Sequence, residues 1–361
     1  ILVKGLILSG GAGTRLRPLT HSSAKQLVPV ANKPILFYGI EQLVKSGIKE
    51  IGIIVGETEN EIRQAVGQGQ SWNVKVTYIP QEEPLGLAHC VLIAKDFLGE
   101  EDFVMYLGDN MLEQNLSPLI QEFKEDRQEG SLESRILLKE VENPQNFGVA
   151  EIDENGTVIA LKEKPENPAS NLALVGVYFF SPTIHEAVAN ISPSPRGELE
   201  ITDAIQWLME KGKTIDHDVL DGWWIDTGKK DPLLESNRQV LKTILKEIHA
   251  TAEVYRNSSL EGQIKVGANT KITDSFLKGP IVIGDNVTIV NSHIGPSTSI
   301  GEGCNITNSS VEDSVLMKEC SINDSRYLTN SLIGNNCEVA GPLSNKPCSL
   351  MIGDDSVLDL P

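Results

Sequence analysis

A 17-residue repeat in the C-terminal third of the chain is the feature that most limits how the chain can fold. From about residue 260, helical periodicity is lost, and Gly, Asn and Ser surround isolated aliphatic residues. Each coil holds three aliphatic positions, with steps of 6, 5 and 6 residues between them. Three rows of residues recur at this spacing: Val266, Ile283 and Ile300; Ile272, Ile289 and Ile306; Leu277, Ile294 and Val311. Three short strands per coil predict a left-handed β-helix of imperfect hexapeptides over residues 248–361.

The later turns of this repeat, near Leu316, Ile322, Leu328 and Leu332, are less regular, and we expect them to end the coil. We interpret the β-helix as a structural or regulatory domain whose open ends suit contacts in a homo-oligomer. β-Helices of this kind also occur in acyltransferases, where a histidine usually acts as the base. His293 is the only histidine of the repeat, so an acetyltransferase site in the tail stays open as an alternative.

Residues 1–247 have a different pattern, in which short apolar runs alternate with segments of helical periodicity. This rhythm predicts an α/β domain, Rossmann-like, with a mixed and mostly parallel sheet covered by helices on both faces. Its later part, from Arg135 to Phe180, has the alternation typical of antiparallel strands. A helix from Lys229 to Glu247 is expected to end the domain. The predicted buried strands are Leu2–Leu8, Ile51–Val55, Val74–Ile79 and Phe103–Leu107.

A glycine-rich turn follows the first predicted strand, in the run Gly10-Gly11-Ala12-Gly13-Thr14. Glycines allow backbone amides to approach an anion closely, and Arg15, Arg17 and Lys25 add positive charge within the next residues. The run lacks the Gly-Lys-Ser/Thr of a Walker A loop and the third glycine of a dinucleotide fingerprint. It therefore predicts a phosphate-binding turn of another kind.

Other polar and glycine residues also follow predicted parallel strands: Gly56, Gln81, Gly86 and Asp109. Because parallel strands end at one edge of a sheet, and open α/β sheets bind ligands there, we expect one crevice to hold these residues and the basic turn.

The chain carries 31 basic and 50 acidic residues, a net charge of −19. This charge argues against a nucleic-acid or anionic-membrane surface, so the basic turn favours a small anionic ligand. No apolar run has the length of a membrane span, and no signal-peptide pattern is present. The five cysteines form no CxxC pair, so zinc is not expected, and reduced thiols in a cytoplasmic protein are.

Two strings together are more specific than any single feature. Gly-Gly-x-Gly-Thr-Arg-Leu-x-Pro-x-Thr begins at Gly10, and Lys-Gln-Leu-x-Pro-Val-x-x-Lys-Pro begins at Lys25. The chain thereby resembles the sugar-phosphate nucleotidyltransferases, and Gln26 resembles the glucose-1-phosphate thymidylyltransferase branch, whose long form carries a β-helical tail. The resemblance implies a reaction between dTTP and glucose 1-phosphate that gives dTDP-glucose and pyrophosphate, a step toward dTDP-deoxysugars.

The resemblance also implies roles for individual residues. Arg15 and Lys25 are the implied catalytic cations, and Asp109 and Asp226 the implied Mg²⁺ ligands. The implied nucleotide-binding residues are Gly10, Gly11, Gly13, Thr14, Gln81 and Gly86. The implied sugar-phosphate-binding residues are Gly148, Glu163, Lys164 and Val175, with Tyr178 and Arg196 as further wall residues.

Three alternatives remain at this point. Leu85 replaces a residue that is usually polar in short-form relatives, and a thymine methyl group is worth only about 1–3 kcal/mol in a pocket, so a UTP-using uridylyltransferase stays open. The second is a bifunctional enzyme with an acetyltransferase tail. The third is a paralogue that binds nucleotide without turnover, although the presence of Arg15, Lys25, Asp109 and Asp226 argues against it.

Overall fold

The computed structural model describes residues 2–255, 257–325, 327–341 and 346–359. It divides into two compact units. The first unit comprises Ile1–Ala12 and Leu36–Trp224, and the second comprises Gly13–Ile35 and Ile225–Pro361. We call Gly13–Ile35 the basic segment. The predicted domains, residues 1–247 and 248–361, differ from these units mainly because the basic segment clusters with the C-terminal part, and that domain boundary stays a prediction.

Helices and longer strands dominate the chain before residue 242. The helices are α1 (Ile35–Lys45), α2 (Glu59–Val66), α3 (Leu87–Ile93), α4 (Lys95–Leu98), α5 (Leu116–Glu129), α6 (Ile184–Asn190), α7 (Ile201–Glu210) and α8 (Lys230–Leu241). The strands are β1 (Val3–Ser9), β2 (Pro29–Val30), β3 (Lys33–Pro34), β4 (Glu50–Val55), β5 (Lys75–Pro80), β6 (Asp102–Leu107), β7 (Asn110–Leu112), β8 (Leu132–Glu140), β9 (Gly148–Ile152), β10 (Val158–Glu163), β11 (Leu172–Phe180), β12 (Thr214–Val219) and β13 (Trp224–Asp226).

The first unit is built on a nine-stranded mixed sheet. Its main order is β10-β9-β11-β6-β1-β4-β5, and β8 pairs with both β11 and β12. Strands β5, β4, β1 and β6 are parallel neighbours, whereas β11 runs antiparallel to β6, β8 and β9. The predicted Rossmann-like fold, with a parallel first half and an antiparallel second half, is confirmed.

Helices cover both faces of this sheet, as the alternation of residues along β1 requires. Leu6 and Leu8 point into a core that they share with buried residues of α3, α6 and α7. Gly5 lies on the opposite face, where a Cβ atom would come within 2.8 Å of Leu43 in α1. The central strand is therefore buried on both sides, and its residues read as a continuous apolar run.

Helix α8 is shorter than expected: it ends at Leu241, so the prediction of helix to Glu247 was wrong. The Thr243 hydroxyl donates to the Val240 carbonyl at 2.7 Å, and the Thr243 amide donates to the same oxygen at 3.0 Å. A threonine that bonds to the preceding turn competes with helix continuation. Glu247 instead belongs to the first strand of the C-terminal coil.

The C-terminal part of the second unit is the predicted β-helix. Its strands are β14 (Glu247–Ile248), β15 (Glu253–Val254), β16 (Ser259–Glu261), β17 (Ile264–Val266), β18 (Lys271–Thr273), β19 (Phe276–Lys278), β20 (Ile281–Ile283), β21 (Thr288–Val290), β22 (His293–Ile294), β23 (Thr298–Ile300), β24 (Asn305–Thr307), β25 (Ser310–Glu312), β26 (Val315–Leu316), β27 (Ser321–Asn323), β28 (Leu328–Thr329), β29 (Leu332–Ile333), β30 (Glu338–Ala340), β31 (Met351–Ile352) and β32 (Val357–Asp359). They form parallel sheets of seven, seven and five strands.

The strand register confirms the 17-residue rows. Ile272 pairs with Ile289, and Ile289 pairs with Ile306. The aliphatic side chains of all three rows are buried in one core. The coil extends beyond the predicted last turn, because Val339 pairs with Leu358; the spacing of 19 residues there departs from the period and hides this coil in the sequence.

Serines at one corner of the β-helix form a second, polar ladder. The amides of Ser292 and Ser309 each donate to the serine hydroxyl one coil earlier, at 3.1 Å, and the amide of Ser325 donates to that of Ser309 at 3.1 Å. Buried corner amides are thereby satisfied by the repeat itself.

Candidate active site

Four loops follow the parallel strands of the first unit at their carboxyl ends, as predicted. Gly10 follows β1, Gly56 follows β4, Gln81 follows β5 and Asp109 follows β6. A Cβ atom on Gly56 would lie 2.7 Å from the Gly10 carbonyl oxygen, and one on Gly10 would lie 3.4 Å from Gln81 Oε1. The glycines thus allow a close approach of the β1 and β4 loops, beside the Gln81 amide.

The Gln81 side chain is held by His89, which sequence reasoning did not single out. Gln81 Nε2 and His89 Nδ1 are 3.0 Å apart, and the Gln81 amide donates to the Val55 carbonyl at 2.8 Å. The β5 loop and the first turn of α3 therefore fix this side chain together.

Gly86 is a position where the backbone requires glycine. Its φ is 108°, and a Cβ atom there would lie 2.4 Å from the Leu199 carbonyl oxygen. The Leu199 amide donates to the Leu85 carbonyl at 2.7 Å, and its carbonyl accepts from the Ala88 amide at 3.0 Å. The segment before α7 is therefore fixed against the Gly86 loop.

Asp109 directly follows β6 and Gly108. Asn110 Nδ2 donates to Asp109 Oδ1 at 3.0 Å, and Asn110 Oδ1 accepts from the Trp224 indole at 2.7 Å. The carboxylate is thus oriented by an asparagine that is itself fixed on its other side.

The predicted sugar-binding residues of the first unit come together around Glu163. A Cβ atom on Gly148 would lie 3.1 Å from Glu163 Oε2, and the Thr202 hydroxyl donates to that same oxygen at 3.3 Å. Lys164, at a φ of 41°, has its Nζ 4.0 Å from Glu163 Oε1. Burial raises the pKa of the Glu163 carboxyl, and the charge of Glu200 raises that pKa further. Gly148, Glu163 and Lys164 therefore form a small polar cluster.

Val175 and Tyr178 are less available than the sequence suggested. The Val175 side chain is fully buried, so any ligand contact there would come from its backbone, at a shift in the β11–β8 register between Leu174 and Tyr178. Tyr178 is also buried and stacks on Phe180 at 6.0 Å. Burial therefore makes Tyr178 a core residue.

Thr202 and Glu200 are the polar residues that sequence reasoning missed. Arg196 Nη2 lies 2.9 Å from Glu200 Oε1 and 2.9 Å from Glu198 Oε2, so Arg196 is engaged by carboxylates. The run Glu198-Leu199-Glu200-Ile201-Thr202, at the start of α7, carried the only signal, because a helix start with exposed polar residues is common without any ligand.

The remaining predicted residues lie in the second unit. Gly13 has a φ of 64°, and its Cβ position would lie 2.8 Å from the Lys25 Cβ atom. Thr14 and Arg15 are exposed. A Cβ atom on Gly228 would lie 2.8 Å from Arg15 Nη2, and the Gly228 amide donates to Asp226 Oδ1 at 2.9 Å. Arg15 and Asp226 thus lie on either side of a glycine that leaves room for the guanidinium.

Magnesium fits the donor chemistry of the two predicted ligands. Asp109 and Asp226 each offer hard carboxylate oxygen, and Mg²⁺ usually takes only one or two protein carboxylates together with water and substrate phosphates. Over the described ranges, no three or more His, Cys, Asp or Glu side chains group as a metal cage. The five cysteines are free thiols.

Two family models match the sequence. The model described as nucleotidyl transferase matches residues 4–243, about two thirds of the chain. The chain belongs to the nucleotidyl transferase family. A second model, described as the GMPPB C-terminal domain, matches residues 277–355, within the β-helix of this nucleotidyl transferase.

Curated relatives resemble this nucleotidyl transferase over nearly its whole length. A glucose-1-phosphate thymidylyltransferase of Streptomyces griseus is 49% identical and covers 98% of both chains. One of Streptomyces antibioticus is 47% identical and covers 99% of both. The resemblance predicted from the Gly10 and Lys25 strings is confirmed.

A solved structure agrees with these relatives. A protein described as a glucose-1-phosphate thymidylyltransferase of Bacillus anthracis, crystallised in complex with a sucrose, superposes with a TM-score of 0.62 at 32% identity. The match covers 68% of this chain and 97% of that one. None of the helices in the described part of the chain is both long enough and apolar enough to cross a membrane.

Proposed function

We propose that this nucleotidyl transferase moves a thymidylyl group from dTTP to glucose 1-phosphate. A phosphate oxygen of glucose 1-phosphate attacks the α-phosphorus of dTTP. The bond from that phosphorus to the bridging oxygen breaks, and pyrophosphate leaves with the electron pair, which gives dTDP-glucose. The observation that carries the proposal is 49% identity across 98% of a thymidylyltransferase.

Positive charge is what this reaction needs most, because two polyanions react and no covalent enzyme intermediate is required. Arg15 and Lys25 supply it in the proposal. An arginine offers several N–H donors in one plane, which suits a triphosphate, and the exposure of Arg15 supports this role. Backbone amides of Gly10, Gly11, Gly13 and Thr14 would donate to the phosphates.

The first unit would recognise the base and the sugar. The Gln81 amide and the Gly86 backbone would bind the pyrimidine, and Glu163 would accept hydrogen bonds from glucose hydroxyls. Lys164 would bind the sugar phosphate, and Gly148 leaves space that any side chain would fill. The clustering of Gly148, Glu163 and Lys164 within one unit supports this assignment.

Asp109 and Asp226 would hold Mg²⁺. When bound, the ion neutralises charge on the phosphates of the nucleotide. We further propose that the enzyme works in the cytoplasm, which its free cysteines suit; a homo-oligomer stays a prediction.

The decisive experiment measures pyrophosphate release for a matrix of dTTP, UTP, ATP and GTP with glucose 1-phosphate and other sugar 1-phosphates. We expect the highest kcat/KM for dTTP with glucose 1-phosphate. Release with UTP alone would replace the proposal with uridylyl transfer, which has less support because thymidylyltransferases match over nearly the full chain. No release with any pair would favour a paralogue that only binds nucleotide.

Arg15→Ala tests the main cation. We expect kcat to fall by about 100-fold or more, the usual effect of removing a donor that stabilises charge in the transition state, with no change in thermal unfolding. Arg63→Ala is the matched control, since Arg63 pairs with Glu59 on the surface of α2. Equal turnover of both variants would remove the role of Arg15.

Acetyl transfer by the tail is a separate test. His293 is exposed, and its ring lies 5.9 Å from the ring of Phe276. Consumption of acetyl-CoA that is lost in His293→Ala would support a second activity, and we expect none.

A further inference from the structure

We propose that Asp354, in the last coil of the β-helix, is a positioning residue for the basic segment that carries Arg15 and Lys25. This inference rests on the proposed function, because it assigns the β-helix a part in catalysis. All the residues that carry it lie in the second unit.

One carboxylate joins the last coils to the basic segment. The hydroxyls of Ser22 and Ser23 donate to Asp354 Oδ2 at 2.9 and 3.2 Å. The other oxygen, Oδ1, accepts from the Asn335 amide at 2.7 Å and from Asn335 Nδ2 at 3.3 Å. Asp354 is thus fixed by the neighbouring coil on one side and holds two serines on the other.

The backbone beside Asp354 also lies against the basic segment. Gly353 is buried, and a Cβ atom there would lie 2.8 Å from the Pro18 carbonyl oxygen. Any other residue at this position would push Pro18 away. The contact places the last coil directly behind the turn that follows Arg15 and Arg17.

The far end of the basic segment is held by earlier coils. Asn32 Nδ2 donates to the Ile300 carbonyl at 2.7 Å. The buried Asn237 of α8 accepts from the Ala31 amide at 2.8 Å and from the Ser299 hydroxyl at 2.7 Å. Helix α8 is in turn fixed to the β-helix, because Arg238 Nε and Nη2 bind the two oxygens of Asp313 at 2.5 and 2.7 Å.

The basic segment needs such support because it has little regular structure of its own. It consists of three-residue 3-10 turns at Thr14–Leu16, Leu19–His21 and Lys25–Leu27, and of the two-residue strands β2 and β3. Arg15 precedes the Pro18–Ser23 contacts, and Lys25 follows them. A cation on a mobile loop loses catalytic effect through small displacements, so the contacts of Asp354 would limit the motion of both cations.

The test compares the whole protein with the double variant S22A/S23A, which removes both hydroxyl donors and leaves the β-helix unchanged. S22T/S23T retains the hydroxyls and serves as the rescue variant. S349A is the matched control, because Ser349 accepts a hydrogen bond from Lys230 of α8 at 2.7 Å and does not contact the basic segment. The readouts are kcat, KM for each substrate, and hydrogen exchange of the amides in residues 13–35.

We expect S22A/S23A to lower kcat about tenfold, with KM for glucose 1-phosphate within about twofold, and to speed exchange in the basic segment. S22T/S23T should restore both readouts, and S349A should match the parent. Unchanged kcat in S22A/S23A, with or without faster exchange, would overturn the positioning role. If the parent protein releases no pyrophosphate, the proposed function fails, and unchanged exchange in S22A/S23A would then separately overturn the support by Asp354.

Discussion

The nine-stranded sheet and the β-helix pair their strands in opposite ways. In the sheet, neighbours come from distant parts of the chain: β1 pairs Gly5 with Ile51 on one side and with Val104 on the other. In the β-helix, Ile264 pairs with Ile281 and Ile281 pairs with Thr298, always one coil along. Long-range pairing brings unlike sequences to one edge, whereas the coil stacks like on like.

This difference explains where polar variety occurs in the two regions. The sheet edge gathers Gly10, Gln81 and Asp109 from three separate loops. The β-helix repeats the same residue types from coil to coil, such as Ser275, Ser292 and Ser309 at one corner. A set of different reactive groups therefore arises in the sheet, and uniform support arises in the coil.

The largest effect should come from the interior of the coil, and it should affect stability alone. Ile289 is fully buried between Ile272 and Ile306. Ile289→Ala should cost about 2–5 kcal/mol, because the cavity adds to the lost burial. Hydrogen exchange should show the loss in β18, β21 and β24, with kcat unchanged at low temperature.

The control for this change is Val290→Ala, because Val290 is the next residue on the same strand and is only half-buried. We expect less than about 1 kcal/mol there. Equal losses for Ile289→Ala and Val290→Ala would mean that the inward rows do not dominate the stability of the coil. Faster exchange in β1 and β6 would mean that the two regions do not respond separately.

The next effect should come from the sheet edge, and it should affect turnover alone. Asp109→Asn keeps the shape of the side chain and removes its charge, so we expect kcat with Mg²⁺ to fall by about 100-fold. Thermal unfolding should stay within a few degrees of the parent. Asp96→Asn, on exposed α4, is the control; equal kcat for both variants would contradict a role for Asp109 in metal binding.

The smallest effect is a pH dependence at Glu163. Burial, together with the charge of Glu200, raises the pKa of this carboxyl above its ordinary value of 4.5. A raised pKa keeps the carboxyl protonated at a higher pH than an exposed glutamate, and the protonated form accepts glucose hydroxyls less well. As pH falls through the raised pKa, KM for glucose 1-phosphate should therefore rise, by about tenfold per pH unit.

Two variants separate this from other acid effects. Glu163→Gln should have a high KM that is flat over the same pH range, whereas Glu151→Gln, at an exposed position of β9, should keep the parent profile. A parent profile that is unchanged in Glu163→Gln would contradict a glucose-binding role for this carboxylate.

The sequence predicted the coil well because its contacts are local and periodic, so counting 17 residues from Ile272 finds its partners. It also predicted the strand-end loops, since parallel strands share one edge. It did not predict that Thr202 contacts Glu163, because that contact depends on how α7 lies against β10. Nor could it find the coil at Leu358, where the period changes, or the end of α8, where Thr243 bonds back to the helix.

The hydrogen bonds between Ser22, Ser23 and Asp354 span more than 330 positions of the chain. During synthesis the basic segment leaves the ribosome among the first residues, yet its support is made almost last. The segment must therefore wait, unbraced, until nearly all of the protein has been translated. Full activity would then come only with the final coil, so that an unfinished chain does not yet consume nucleotide.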